Sequence, residues 1–254
     1  MQPDRLREIR LLADAERYDC EFSELDGPDL NQFDCVIPFD FADYPPLRKH
    51  AHLWGRKFWL PDPKVVALCD DKLILNRLLL GGEFAEVVPR LYESGERQFP
   101  YIIKRRRDLW GLNSFVVRDQ DDERSLAVLL QSPDYFRQAY IVGSQEFALH
   151  VLIAEGKIAY QSTVKYDMDS DIYVKGKRNP AKQAVLLPGK TDYPDLLGLI
   201  ESLDYDGICC INYKIDNGRP KLLEINPRLG ASVTADINRL LDAYLRSLKP
   251  AVPC

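Results

Sequence analysis

No stretch of this sequence approaches the roughly 20 consecutive apolar residues that a bilayer span needs. The longest apolar runs, such as residues 78–80 and 208–211, fall far short of it, so a membrane protein is not expected. The N-terminus, Met-Gln-Pro-Asp-Arg-Leu-Arg-Glu, has neither the apolar core nor the small-residue cleavage site of a secretion signal. Positive charge is not in excess: 34 Lys and Arg against 39 Asp and Glu leave a net charge of −5, which argues against a broad nucleic-acid surface. The cysteines Cys20, Cys35, Cys69, Cys209, Cys210 and Cys254 contain no C-x-x-C pair, and that spacing disfavours a zinc site or a disulfide framework. The expected compartment is therefore the reducing cytoplasm. Internal repeats, low-complexity tracts and flexible linkers are all missing.

What is present is a globular composition, 46% apolar and 29% charged over 254 residues, enough for one large domain or two small ones around a buried core. Apolar spacing predicts a helix over residues 4–17, with the pattern broken at Gly27-Pro28. Residues 33–39 read as a short buried strand and residues 44–54 as a helix, a βα fragment. After Pro61-Asp62-Pro63, residues 64–80 read as one helix stopped by Gly81-Gly82. The period then changes to two: residues 101–104 and 115–117 look like strands joined by the basic segment 105–114. A helix over 122–130, a strand over 139–142, and paired strands over 146–154 and 157–163 follow. Residues 166–183 are polar and aperiodic and read as a long loop. A helix over 193–203 leads to a hairpin, 208–215 and 220–225, turning on Asp216-Asn217-Gly218-Arg219, and to a final helix over 233–248.

The end of that hairpin carries the most chemistry. Period two puts Glu224 and Asn226 on one sheet face, with Asn212 on the neighbouring strand within reach. A hard dication such as Mg²⁺ takes one or two carboxylates together with neutral and phosphate oxygens, and these three side chains offer such a set. The plainer alternative leaves Glu224 a solvated strand residue and Asn226 a turn former.

The run Leu223-Glu224-Ile225-Asn226-Pro227-Arg228-Leu229-Gly230 resembles the metal-binding end of the ATP-grasp superfamily, in its carboxylate-amine ligase, carbamoyl-phosphate-synthase-like branch. Asp71-Lys72, opening a helix, resembles the first phosphate-binding lysine of that family, and Pro100-Tyr101-Ile102-Ile103-Lys104 resembles the strand bearing its second. Gln138-Ala139-Tyr140-Ile141-Val142-Gly143-Ser144-Gln145-Glu146 is similar to the hinge that holds adenine by backbone groups and then offers a carboxylate toward the ribose. Each motif is weak alone; their order across residues 71–232 makes the resemblance specific.

The resemblance implies an α+β fold whose two lobes clamp ATP: a truncated α/β segment over 1–66, an N-lobe with a lid hairpin over 67–131, and a C-lobe with the metal site over 132–254. It implies ATP and Mg²⁺, with Mn²⁺ as the substitute. Lys72, Lys104, Gln138, Ala139, Tyr140, Ile141 and Glu146 would hold the nucleotide, Asn212, Glu224 and Asn226 the metal, and Lys104 and Arg228 would act in phosphoryl transfer. The implied reaction joins a small-molecule carboxylate to an amine through an acyl phosphate, releasing ADP and phosphate. Nucleic-acid and membrane partners are not expected, and a homodimer is left open. The alternatives are a kinase-like phosphotransferase and a nucleotide-binding regulatory protein without catalysis.

Two departures from the family stand out. Asn212 occupies a position more often Asp or Glu, and the loop after Lys104 runs Arg105-Arg106-Arg107 where the family is rich in Gly and Ser. The arginine run is either an exposed edge kept soluble by charge or a mobile lid whose guanidinium groups meet an anionic substrate. His150 shares strand parity with Glu146 and reads as packed or as facing the cleft. Lys165, Lys175, Lys177, Arg178 and Lys182 surround the polar loop as a solvated face or an anion site. Trp54, Trp59 and Trp110 read as packing residues.

Overall fold

The computed structural model describes residues 9–23, 25, 29–54, 57–93, 95–108, 111–176, 179–189 and 191–248. Two antiparallel sheets organise them. β1 (Leu91–Tyr92), β2 (Tyr101–Arg105), β3 (Ser114–Val117) and β4 (Tyr135–Ala139) form the first, in the order β1-β4-β2-β3. β5 (Gln145–Ala154), β6 (Lys157–Asp167), β7 (Gln183–Pro188), β8 (Gly207–Asp216) and β9 (Arg219–Asn226) form the second, in the order β7-β6-β5-β8-β9.

Strand alternation decides which side chains go where. On one face of the second sheet, Leu149, Val151 and Ile153 of β5 join Cys209, Ile211 and Tyr213 of β8 in a core. Cys69, Leu75 and Leu79 from the helices Pro63–Asp70 and Lys72–Leu80, and Leu196, Leu199 and Ile200 from the helix Pro194–Ser202, close it. The opposite face is divided. At one end Leu152, Tyr160 and Ile208 are covered by Ile237, Leu240, Leu241 and Tyr244 of the helix Ile237–Leu248; at the other, Glu146, Ala148 and Asn212 floor a cavity. The first sheet obeys the same rule: Tyr101 and Ile103 pack with Val117 against Leu126, Leu129 and Leu130, while Ile102 and Lys104 face the cavity.

Several elements differ from expectation. The helix expected over 64–80 is two, because Asp71 leaves helical geometry (φ −91°, ψ 89°) and caps the second helix, its Oδ1 accepting from Ile74 N at 3.3 Å. Residues 33–39 form no strand among the described residues; Val36 N–H donates to Lys57 O at 2.8 Å, and one such bond does not make a ladder. The helix expected over 4–17 is seen at residues 9–12, with 4–8 and the Gly27-Pro28 break outside the described residues. The strand expected at 139–142 is β4, displaced toward the N-terminus, because Phe136 and Gln138 are its buried positions and the chain leaves the sheet after Ala139. β4 pairs with β2, so the first sheet continues past the boundary expected at residue 131. β6 runs on to Asp167 and pairs with β7, an edge strand that the sequence reading left out of its elements. No helix among the described residues is long and apolar enough to cross a membrane.

Candidate active site between the two sheets

A cavity of about 400 Å³ lies between the sheets. Two lysines enter it from different elements. Because Asp71 ends one helix and caps the next, Lys72 stands at a helix start; its Nζ donates to Asp108 O at 2.8 Å and lies 3.5 Å from Glu224 Oε2. Lys104 comes from β2, and its Nζ donates to Gln138 Oε1 (2.9 Å) and Leu223 O (3.2 Å). That carbonyl is free for a side chain because β9 bulges: Asn212 pairs with Glu224 but Tyr213 with Leu222, leaving Leu223 as the extra residue. Gln138 is itself held, its Nε2 donating to Asn76 Oδ1 at 2.8 Å and to Pro89 O at 3.1 Å, while Asn76 Nδ2 donates to Lys72 O at 2.5 Å. Burial brings the Lys104 ammonium down to about 8, against the attraction of Glu224.

Asn212, Glu224 and Asn226 come together on the cavity floor. Glu224 Oε1 accepts from Asn212 Nδ2 at 2.8 Å and from Asn226 Nδ2 at 3.0 Å. Burial alone would raise the Glu224 carboxyl, but Lys72, the two amides and Lys104 bring it down to about 2, so it is an anion at neutral pH. Among the described residues no three His, Cys, Asp or Glu side chains cluster as a metal site. The donor set still fits a hard cation: one ionised carboxylate with two side-chain amides, whose oxygens face it once the amides are turned. Such a set supplies one negative charge and three oxygens, so water and ligand oxygens would complete the coordination.

The far wall holds the other expected residues. Ala139, Tyr140 and Ile141 line the cavity by chain position, whereas the Gln138 side chain serves Lys104. Glu146, expected to face a sugar, is buried and paired with Lys175 Nζ at 2.5 Å, and that ammonium lies 4.0 Å from the centre of the Tyr166 ring. Lys175 thus lines the cavity, while Lys165 pairs with Asp167 and Lys182 with Asp169 outside it. Arg228 lines the cavity, its Nη1 donating to Leu229 O at 3.1 Å. Lys177, Arg178 and Trp110 lie outside the described residues.

Lys214 is among the cavity residues that the sequence reading did not single out. Lys214 is buried, its Nζ donating to Ile141 O (2.9 Å) and Gly143 O (2.7 Å) and lying 4.2 Å from the Tyr173 ring centre. It ties β8 to the segment joining the two sheets, and burial lowers its ammonium to about 8. Period two counted from Asn212 marks this position, because residues 212 and 214 share a face.

Two arginines of the run, Arg106 and Arg107, are engaged by carboxylates. Arg106 grips the buried Asp71 carboxylate through Nε (3.1 and 3.2 Å) and Nη2 (2.6 Å), and Arg107 Nη2 reaches the same group at 3.2 Å. Burial would raise the Asp71 carboxyl, yet the Arg106 guanidinium leads the groups that hold it below its ordinary value. The backbone is tied as well, Lys72 N donating to Arg106 O at 3.0 Å and Arg106 N to Asp134 O at 2.8 Å. The run therefore clamps the hairpin base to the helix that presents Lys72.

No protein-family model and no curated protein matches the sequence. Solved structures do match. The D-alanine–D-alanine ligase of Bacillus anthracis complexed with ATP superposes with a TM-score of 0.57 at 14% identity, over 96% of this chain and 90% of that one. The L-amino acid ligase of Bacillus licheniformis gives 0.59 at 15%, over 86% of this chain and 57% of that one. The chain has the ATP-grasp fold. A third ATP-grasp structure, the biotin carboxylase complex from Campylobacter jejuni, gives 0.55 at 15% over 82% of this chain and 52% of that one. The chain thus spans little more than half of the longer relatives, and these identities support the fold alone.

Proposed function

We propose that the protein is an ATP-dependent ligase that joins a carboxylate to an amine, releasing ADP and phosphate. The observation that carries this reading is the convergence of Lys72 and Lys104, from separate elements, on an ionised Glu224 within a cavity of about 400 Å³. Fixed cations beside a fixed anion suit a triphosphate with its metal better than they suit an uncharged ligand. The ATP complex of the D-alanine–D-alanine ligase supports the choice of nucleotide.

A carboxylate does not acylate an amine directly because its oxygen is a poor leaving group. Here the acid oxygen would attack the γ-phosphorus and ADP would leave; the amine nitrogen would then attack the acyl carbon and phosphate would leave. Lys72 and Lys104 would hold the phosphate oxygens and orient the γ-phosphoryl group in line. Arg228, which also lines the cavity, would meet charge developing on the transferring group or on the acyl phosphate. Asn212, Glu224 and Asn226 would hold Mg²⁺, which supplies charge neutralisation at the phosphate oxygens when bound. The segment 105–114 would cover the site and keep water from the acyl phosphate.

The test is an ADP-release screen with pools of carboxylic acids and amines, followed by mass spectrometry of products. Release that needs both an acid and an amine, with an amide formed, is the expected result. Release with an acid or hydroxyl acceptor alone, yielding a stable phosphorylated product, would replace the ligase by a phosphotransferase. ATP binding without turnover on any pool would overturn both.

A further inference from the structure

His150 lies on the cavity face of β5, two residues on from Ala148, with Cys210 opposite it on one neighbouring strand and Ser162 on the other. It is buried, and its Nε2 sits 2.8 Å from the hydroxyl of Ser232, a residue that lines the cavity. Glycine makes this contact possible. A Cβ on Gly230 would fall 2.4 Å from His150 Cε1 and 2.7 Å from Cys210 Cβ, so only a bare backbone brings the 230–232 turn down onto the ring. The other ring nitrogen, Nδ1, is buried without a hydrogen-bond partner among the described residues.

That unpartnered nitrogen sets the direction of the contact. A neutral imidazole carries its proton on one nitrogen and a lone pair on the other. With the proton on Nδ1, a buried N–H would have no acceptor, the arrangement that folded proteins avoid most consistently. With the proton on Nε2, the ring donates to Ser232 Oγ and only a lone pair is left unmet at Nδ1. Burial, aided by the nearby Lys175 charge, keeps the ring neutral, its value lowered to about 3. Ser232 then accepts from His150, and its own O–H is left to donate, to the Tyr166 hydroxyl beside it or to a ligand oxygen in the cavity.

We infer that His150 is a positioning residue, the Nε2–H tautomer, that orients the Ser232 hydroxyl as a donor to an oxygen of an anionic substrate in the cavity that Arg228 also lines. A substrate carboxylate is the ligand this pair suits, because Ser232 supplies one directed neutral donor and Arg228 the charge. The Tyr166 hydroxyl, beside Ser232, completes the polar wall. The proposal rests on the ligase reading only for the identity of that oxyanion; the tautomer and the donor follow from the buried geometry alone.

The test has two arms that do not need turnover. Nitrogen-15 NMR of labelled protein reports the tautomer: His150 protonated at Nε2 is expected, and protonation at Nδ1 overturns the proposal. In protein saturated with Mg-ADP, acetate titration probes the oxyanion site. Ser232→Ala and His150→Leu should each weaken acetate binding about tenfold, the loss of one hydrogen bond to a charged group. His150→Gln, whose amide can keep an N–H facing Ser232, should recover most of it. A merely structural His150 would lower thermal stability in both variants without the recovery. If His150→Leu fails to fold, the tautomer and Ser232→Ala decide, and unchanged acetate binding in Ser232→Ala overturns the proposal. With an active acid and amine pair, Ser232→Ala should raise KM for the acid about tenfold and leave KM for ATP unmoved. An inactive protein that still passes the NMR and acetate arms removes the ligase reading and keeps this one.

Discussion

Glu224 is the residue on which the cavity's charges meet, accepting from two amides and lying 3.5 Å from the Lys72 ammonium. Glu224→Gln should lower turnover at least about a hundredfold, the scale of losing one preorganised electrostatic element; steady-state ADP release measures it, and full activity would remove Glu224 from the metal site. Lys104 gives a second, opposed pair of pH effects. Its ammonium is lowered from 10.5 to about 8 by burial, so it is charged below pH 8 and loses its proton above. Nucleotide affinity in calorimetry should therefore fall as pH rises through about 8. Folding responds in the other direction: between pH 8 and 10.5 the unfolded chain binds the proton that the folded chain has released, so this group's contribution to stability rises with pH. Lys104→Met should reduce both trends together, leaving the share of Lys214, whose ammonium burial also lowers to about 8.

At the scale of elements, the clamp between Asp71 and two of the arginines bears on the expectation of a mobile lid whose guanidinium groups meet an anionic substrate. Arg106 bonds a carboxylate that is 2% exposed, so the pair is screened less than a surface ion pair. Arg106→Gln should lower stability by about 2 kcal/mol, the cost of hydrogen bonds to a charged group. Hydrogen exchange at residues 105–108 and at the start of the helix Lys72–Leu80 should speed up together, because one clamp holds both. Unchanged exchange would return the run to a soluble edge. Since the clamp also positions Lys72, the variant should weaken nucleotide binding even though Arg106 does not line the cavity.

Across the whole molecule, the cavity is built from both sheets, so a ligand that fills it links them. At about 100 times Kd, Mg-ATP should stabilise the native state by about 2.7 kcal/mol, which for a chain of this size is a rise of roughly 5–10 °C in Tm. ATP with chelator should give far less in the same scan, and equal shifts would count against the metal set. Much of this plan was legible in the chain. Period two paired Glu224 with Asn226 and put Asn212 beside them, and the Asn217-Gly218 turn predicted the β8-β9 hairpin, because alternation and turn chemistry are local. Lys104 and Ile102 face the cavity for the same reason. What only the tertiary structure decided are contacts between residues distant in the chain. The Leu223 bulge frees a carbonyl for Lys104, more than a hundred residues earlier, and no local pattern announces an extra residue in a strand. The pairing of Arg106 with Asp71, of Lys175 with Glu146, and of Lys214 with the carbonyls of Ile141 and Gly143 likewise follows from how two sheets and their helices close. A charged side chain's type is written in the sequence, but its partner is chosen by whichever buried group the fold leaves unsatisfied.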